Sequence, residues 1–478
     1  MRHYLLIDLG TGNTRVALVN SAGAILDLRT YLNRYYRDDL YEDAQYFLPA
    51  EWRENILQGC RELCAAHPDI RVDALSSAGT RQSFVLLDRE GKDFYGLPNI
   101  DNRGRAFMDE VPDHKEIYRL SGKWATEDFG AAKLLGLRKK RPELYGRIWK
   151  FTSISEWIAW IFTGRTVMEY SQASETQLYD IGSRTWSPEL CAAYEVELAL
   201  LPELQAAGTA AGPILPEYRE AFHLASDAVF LLGGADTQTA LRQTALEGGG
   251  IAVVSGTTSP VISKLDRPLY DPEQRFWLDA DLGGERFLAE TNPGVTGLNY
   301  QRMHQQLCPD IPYERLEELY LEKDAFACTA SFSSLLFHER RSLRSGGFFT
   351  RSPAAVELDR VDMLWAVLAD IACSIQEQLS SLVRLTGNEG GVLLGCGGGF
   401  QSPALCQMLA DLSGRELRLR DGFRQASVWG LSAVCSGYFG LSNRSGTEVL
   451  RSFPPRAGQL IHAYYPVWRA NRDRVNPG

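Results

Sequence analysis

A chain of 478 residues is longer than one compact core accommodates, so about two or three domains are expected. With 45% hydrophobic and 23% charged residues it reads as an ordinary globular protein, and a net charge of −10 argues against a general nucleic-acid binder, because phosphate backbones select basic faces. Nine cysteines, an odd number with no Cys-x-x-Cys and no zinc-type spacing, read as reduced thiols. No apolar run approaches the roughly 18 residues of a bilayer span, and Arg2 and His3 lead straight into a strand without a signal peptide, so the expectation is a cytoplasmic protein with no membrane partner.

The chain opens with three strand candidates, residues 4–8, 14–19 and 24–28, split by the turns at 9–13 and 20–23. Residues 47–64 have helical apolar spacing, which puts Cys60 and Cys64 on one face. Residues 72–76 and 83–87 read as strands. Ser153 with Glu156 forms a capping box for a helix that Gly164 stops. Strands that precede and separate helices make this half α/β. Residues 203–227, rich in Ala, Pro and Gly, read as a surface connection. The second half then starts afresh: strands at 251–254 and 260–263 repeat the strand–glycine-turn–strand pattern of residues 4–19. A long amphipathic helix spans 362–385, a buried strand 392–395, a Pro-initiated helix 403–412, and a polar tail 468–478.

Three glycine turns carry the chemistry. In Asp8-Leu9-Gly10-Thr11-Gly12-Asn13-Thr14-Arg15 the glycines let backbone N–H groups approach an anion, the threonines add hydroxyls and Arg15 a cation. Asp8, at a strand end, suits a hydrated Mg²⁺. The same residues also suit a plain hairpin. Gly233-Gly234-Ala235-Asp236 brings a carboxylate to a tight turn, either as the cap of a helix over 237–246 or as a base that orients a hydroxyl. Ser255-Gly256-Thr257-Thr258 is a second small-residue hairpin, and Gly395-Cys396-Gly397-Gly398-Gly399-Phe400-Gln401-Ser402 offers a flat platform before a helix N-terminus. Arg81-Gln82 and Asn99-Ile100-Asp101-Asn102-Arg103 supply polar side chains from neighbouring loops, equally consistent with hydroxyl binding and with surface pairing. There is no Gly-x-x-x-x-Gly-Lys-Ser/Thr, which excludes a P-loop enzyme, and no Gly-x-Gly-x-x-Gly after the first strand.

The order Asp8-x-Gly-Thr, Gly-Gly-Ala-Asp236, Gly256-Thr257-Thr258 and Gly-Gly-Gly399-x-x-Ser-x-x-x-x-Gln-x-x-Ala-Asp411 resembles the FGGY carbohydrate kinases of the actin-like ATPase superfamily, over roughly residues 4–440. Residues 331–349, with Glu339-Arg340 and Gly347-Phe348-Phe349, are similar to the family's Gly-Glu-Arg loop, and residues 171–186 to its Asp-x-x-x-x-x-Trp segment. The resemblance implies two α/β domains of actin-like, ribonuclease-H-like fold, here 1–247 and 248–478, with a cleft between them. It implies transfer of the γ-phosphate of ATP, with Mg²⁺, to a hydroxyl of a small sugar or polyol. Asp236 would be the catalytic base and Asp8 the Mg²⁺ site. Thr11, Gly12, Asn13, Arg15, Gly256, Thr257, Thr258, Gly398, Gly399 and Ser402 would bind ATP, and Arg81, Gln82, Asp101 and Asp236 the substrate. Family members often form homodimers, though nothing in the sequence marks an interface. Gln82 replaces the acid of the glycerol kinase branch, His338 departs from the Gly-Glu-Arg loop, and Gln425 stands near a common Glu; together these lean toward the xylulokinase and autoinducer-kinase side, with a ketose or linear dihydroxy-ketone as substrate. A non-catalytic sugar and nucleotide sensor of the same fold, or an actin-like ATPase without a small substrate, are the rival readings.

Overall fold

The computed structural model describes residues 1–343, 345–353, 358–441 and 448–476. The run Tyr4-Leu5-Leu6-Ile7 has no exposed side chain because it forms the strand His3–Leu9 at the middle of a six-stranded sheet covered on both faces. Successive side chains of a strand point to opposite faces. Accordingly Leu5, Ile7 and Leu9 pack with Trp52, Ile56 and Cys60 of the helix Pro49–Ala66, whereas Tyr4 and Leu6 pack with Val428, Leu431 and Cys435 of the helix Ala426–Tyr438.

The sheet runs Ala210–Pro213, Leu224–Ala235, Val72–Gly79, His3–Leu9, Asn13–Asn20, Ile25–Leu32, with Leu224–Ala235, Val72–Gly79 and His3–Leu9 mutually parallel and the flanking pairs antiparallel. A second sheet repeats the plan: Trp277–Ala280, Phe287–Thr291, Val261–Leu265, Ile251–Val254, Val392–Cys396, Glu416–Arg420, Val449–Phe453, with Ile251–Val254, Val392–Cys396 and Glu416–Arg420 parallel. The hairpin repeat read from residues 4–19 and 251–263 is therefore a repeat of topology. An inserted layer built on Asp93–Leu97, Phe84–Leu87 and Lys150–Ser153 carries the helices His114–Ser121 and Gly130–Lys140. It reaches the second sheet's edge, where Tyr118 OH donates to Phe276 O (2.9 Å) and Leu278 N to Gly122 O (2.9 Å).

The halves exchange helices. Asp236–Thr244, which leaves the first sheet, lies against Ile251–Val254 and Val392–Cys396, while Ala426–Tyr438 returns to cover the first sheet. The two helices cross at Gly430, where a Cβ would sit 1.9 Å from Thr239 O, so only glycine permits the approach.

Several expectations change. Residues 203–227 are not a bare connection: they hold the strands Glu203–Gln205 and Ala210–Pro213 and the helix Pro216–Ala221, because edge strands need little apolar periodicity. Asp236 is the first residue of its helix and not its cap, with Ala235 at the cap position, and the helix ends at Thr244, ahead of Leu246. The tail at 468–478 belongs, up to its described end, to the helix Leu460–Val475. Its apolar signal is only Ile461, Tyr464 and Trp468, spaced for one face and all buried, amid polar residues and Pro466. Trp468 Nε1 donates to Asp370 Oδ1 (2.7 Å), and Arg472 pairs with Glu377. The Ser153-initiated helix runs Ile154–Thr163 and stops at Gly164 as read. All nine cysteines are free and buried. Among the described residues no helix is long and apolar enough to cross a membrane.

Trp468→Ala removes a fully buried indole and orphans one oxygen of Asp370; a loss of about 3–5 kcal/mol is expected, read as a lower denaturant midpoint in equilibrium unfolding.

Candidate functional site

Asp8 and Asp236 stand at the carboxyl ends of parallel strands, where ligands bind in open α/β sheets. Asp8 is registered with Ala78, and Ala235 with Gly79, so Asp236 follows directly at the same sheet edge. Asp8 is buried and lies 3.5 Å from Arg15 Nη1 across its hairpin. Burial raises its pKa to about 6; Arg15 opposes this, and the charge of Asp236 adds to it. Asp236 is partly exposed and accepts from Thr237 N (2.7 Å) and from the backbone N–H of Arg81. Its pKa is raised by burial, with Arg81 and those N–H groups opposing. The turn before it is braced from below. Ala235 N donates to Ser171 Oγ (3.0 Å), Ser171 N donates to Glu169 Oε2 (2.7 Å), and Gly283 N, from the second half, donates to Glu169 Oε1 (2.9 Å).

The first hairpin is fixed by Asn33, which donates to Gly10 O (2.7 Å) and accepts from Thr14 Oγ1 (2.7 Å). Gly10 N donates to Asn13 O (2.9 Å), closing the turn. Thr11 Oγ1 accepts from Asn99 Nδ2 (3.0 Å), and Gly12 is the exposed tip with open space about it. The second hairpin and the glycine platform form one unit. Ser255 N donates to Cys396 O (2.8 Å) and Gly399 N to Ser255 O (3.0 Å). A Cβ on Gly397 would come within 2.3 Å of Ser255 O, and one on Gly399 within 2.1 Å of Ser255 Oγ. Gly256, Thr257 and Gly398 are exposed and Thr258 partly so, bridged to Val295. Ser402 caps the helix Pro403–Ser413, its Oγ accepting from Leu405 N (3.1 Å).

At the other end of the site the sequence-derived side chains meet partners that the sequence did not reveal. Arg81 donates bidentately to Glu290, Nη1 to Oε2 at 2.6 Å and Nη2 to Oε1 at 3.0 Å, and lies 3.8 Å from Glu175. Gln82 holds a left-handed φ of 63°, a conformation non-glycine residues keep only where surroundings enforce it. Its Nε2 donates to Glu175 Oε2 (3.1 Å), and its carbonyl accepts from Lys133 Nζ (2.6 Å). Lys123 pairs with Asp279 and donates to Ser174 Oγ (2.9 Å). Burial holds Glu175 above the usual carboxylate range; Lys123 and Arg81 oppose and Asp279 reinforces this. Beside these charges Trp124 and Phe129 pack against Trp277 and Phe337, first half against second.

Asp101 is fully buried, Oδ2 taken by Arg103 Nε (2.6 Å) and Oδ1 by Gln45 N (3.0 Å). It thus lies beneath the loop whose Asn99 reaches Thr11. His338 faces Glu339 (3.6 Å), its pKa lowered by burial, and Gln425 is an exposed residue before the helix Ala426–Tyr438; neither joins the cluster around Arg81. Lys123, Lys133, Glu175, Asp279 and Glu290 escaped the sequence reading because lone charged residues normally mark solvated faces. Only the apolar setting of Glu290, between Phe287-Leu288-Ala289 and Thr291, hinted at burial.

Residues 3–242 match the model of the FGGY family of carbohydrate kinases, N-terminal domain. YoaC of Bacillus subtilis (strain 168), provisionally named a sugar kinase, is 38% identical over 468 residues, spanning 98% of this chain and 96% of that protein. Autoinducer-2 kinase of Salmonella choleraesuis is 23% identical over 436 residues, 86% of this chain and 82% of that one. Among solved structures, xylulose kinase from Lactobacillus acidophilus superposes with a TM-score of 0.87 at 16% identity, covering 100% and 99% of the two chains. Plasmodium falciparum glycerol kinase with ADP gives 0.87 at 17% identity, covering 99% and 98%. The fold is the two-domain actin-like ATPase fold.

Gly399→Ala forces the platform off Ser255, so nucleotide affinity should fall at least about tenfold while the helix content by circular dichroism stays unchanged; unaltered ATP titration by calorimetry would remove the platform from the nucleotide site.

Proposed function

The chain belongs to the FGGY family of carbohydrate kinases, phosphotransferases with an alcohol group as acceptor, and from that premise we propose that it moves the γ-phosphate of ATP to a hydroxyl of a small ketose of xylulose or ribulose type, or of a linear dihydroxy-ketone, with Asp236 as general base. The observation that carries this reading is the placement of Asp236. It is partly exposed at the sheet edge, with the strand Val72–Gly79 between its own strand and that of Asp8, and it accepts from the backbone N–H of Arg81.

In this reading the lobes 1–247 and 248–478 close on both substrates. The hairpin of Thr11, Gly12, Asn13 and Arg15 meets the phosphates from one side and Gly256, Thr257 and Thr258 meet them from the other. Gly398 and Gly399 lie under the nucleoside beside Ser402. Arg81 and Gln82 orient the sugar, Lys133 braces the carbonyls of Gln82 and Pro98, and Asp101 is held by Arg103 and Gln45 in the loop that follows. As the sugar oxygen bonds to the terminal phosphorus, its proton passes to Asp236 and ADP departs with the electrons of the broken P–O bond. The carboxylates of Asp8 and Asp236, close enough for the charge of Asp236 to raise the pKa of Asp8, suit a hydrated hard cation, and Mg²⁺ held at Asp8 would neutralise phosphate charge when bound. Closure excludes water and so limits wasteful ATP hydrolysis. A cytoplasmic homodimer is the working picture of its state in the cell.

A coupled ADP-release screen over ketoses, aldoses, polyols and linear dihydroxy-ketones tests the activity. Asp236→Asn should fold normally and lose about 10²–10⁴-fold in kcat, since the hydroxyl proton then has no acceptor; wild-type turnover by this variant would end the base assignment.

The pH profile follows from the raised pKa of Asp236. The base works only when ionised, so kcat/KM should fall as pH drops through that pKa, on an acid limb lying above the ordinary carboxylate range. A profile flat down to the ordinary range would show that another group takes the proton.

A further inference from the structure

We propose that Glu290 sets the charge of the acceptable substrate: by holding Arg81 in a bidentate ion pair it engages the cation at the sugar end of the site, so that none is spare among the described residues and the enzyme takes uncharged polyols or ketoses and rejects sugar acids. This rests on the kinase reading above.

Among the described residues each cation at this end is already engaged. Both terminal nitrogens of Arg81 donate to Glu290, which comes from the opposite sheet and is itself buried. Lys123 is spent on Asp279 and Ser174. Lys133 donates to the carbonyls of Gln82 (2.6 Å) and Pro98 (2.7 Å) and is fully buried. Two further carboxyls, the buried Glu175 and the partly exposed Asp236, lie near the same Arg81. Arg15, with its side chain 41% exposed, stands at the hairpin assigned to phosphate.

A carboxylate entering this surround would meet the charges of Glu290 and of ionised Asp236, where like charges repel strongly. A neutral hydroxyl does the opposite, since it donates to a carboxylate and accepts from an Arg81 N–H edge. Of the aromatic group beside the charges only Trp124 is partly exposed, backed by the buried Phe129, Trp277 and Phe337, and its ring offers the C–H faces of an uncharged sugar an apolar surface.

The test compares kcat/KM, by coupled ADP release, for neutral pentuloses and linear dihydroxy-ketones against aldonates and uronates, in wild type and in Glu290→Gln. Wild type should favour the best neutral compound over the best acid by at least about 100-fold, and Glu290→Gln, which frees Arg81, should narrow that ratio by at least about tenfold. Glu290→Asp, which keeps the charge, should retain the discrimination and is read in its place if Glu290→Gln fails to fold; a collapsed ratio in Glu290→Asp would then count against the proposal. A wild-type ratio near one, or the same ratio in wild type and Glu290→Gln, overturns it. Turnover confined to sugar acids leaves the kinase reading standing and overturns this one, whereas no ADP release with any compound overturns both.

Discussion

The exchange of helices at Gly430 is the constraint on which the rest of the molecule turns. Two sheets of the same plan each expose an apolar face that their own half does not fully cover. Helix Ala426–Tyr438 closes the first and Asp236–Thr244 packs on the second. The helices cross with Gly430 against the backbone carbonyl of Thr239, and the lobes meet again where Glu169 receives Gly283 N and where Arg81 pairs with Glu290. That geometry leaves the carboxyl ends of both sets of parallel strands facing a shared space. It also makes the catalytic candidate the first residue of a crossing helix, so its position follows the relation of the lobes.

Charge is divided along this space in a way that matches the proposed division of labour. At the hairpins proposed to meet the phosphates Arg15 is partly exposed, and the backbone is free of bulky side chains. Around Arg81, where the sugar is proposed to bind, the largely buried Arg81 and the buried Lys123 are paired with carboxylates of the opposite sheet. Buried ion pairs contribute little net stability, because desolvation offsets most of their attraction. What they supply here is orientation: Arg81 cannot swing, Gln82 is held at a left-handed φ, and the Arg81 N–H stays directed at Asp236. The buried Glu169, which receives N–H groups from the Ser171 turn and from Gly283 across the lobes, steadies the same turn from beneath.

Much of this was legible in the chain. The hairpins at residues 9–13 and 255–258, the Asp236 turn and the glycine platform could be read because each depends on local requirements: small residues where backbone approaches backbone, and Gly where Ser255 presses on the platform. The repeat of the strand–turn–strand pattern survived for the same reason. The helix Leu460–Val475 was missed because three apolar positions among charges look like a frayed end until Asp370 and Glu377 supply partners some 95 residues away. The family resemblance puts Asp101 at the substrate, and in the structure its side chain is committed to Arg103 and Gln45.

The sequence by itself determined the α/β class, the two-fold internal plan and the glycine hairpins, since these follow from backbone geometry written into consecutive residues, and its motifs carried the resemblance to the family. Only the tertiary structure decided which charges face one another. Arg81 and Glu290 are 209 positions apart, and Lys123 and Asp279 are 156 apart. Coulomb attraction and desolvation act through space and carry no trace of chain order, so the electrostatic character of the sugar end became readable only once the lobes were brought together.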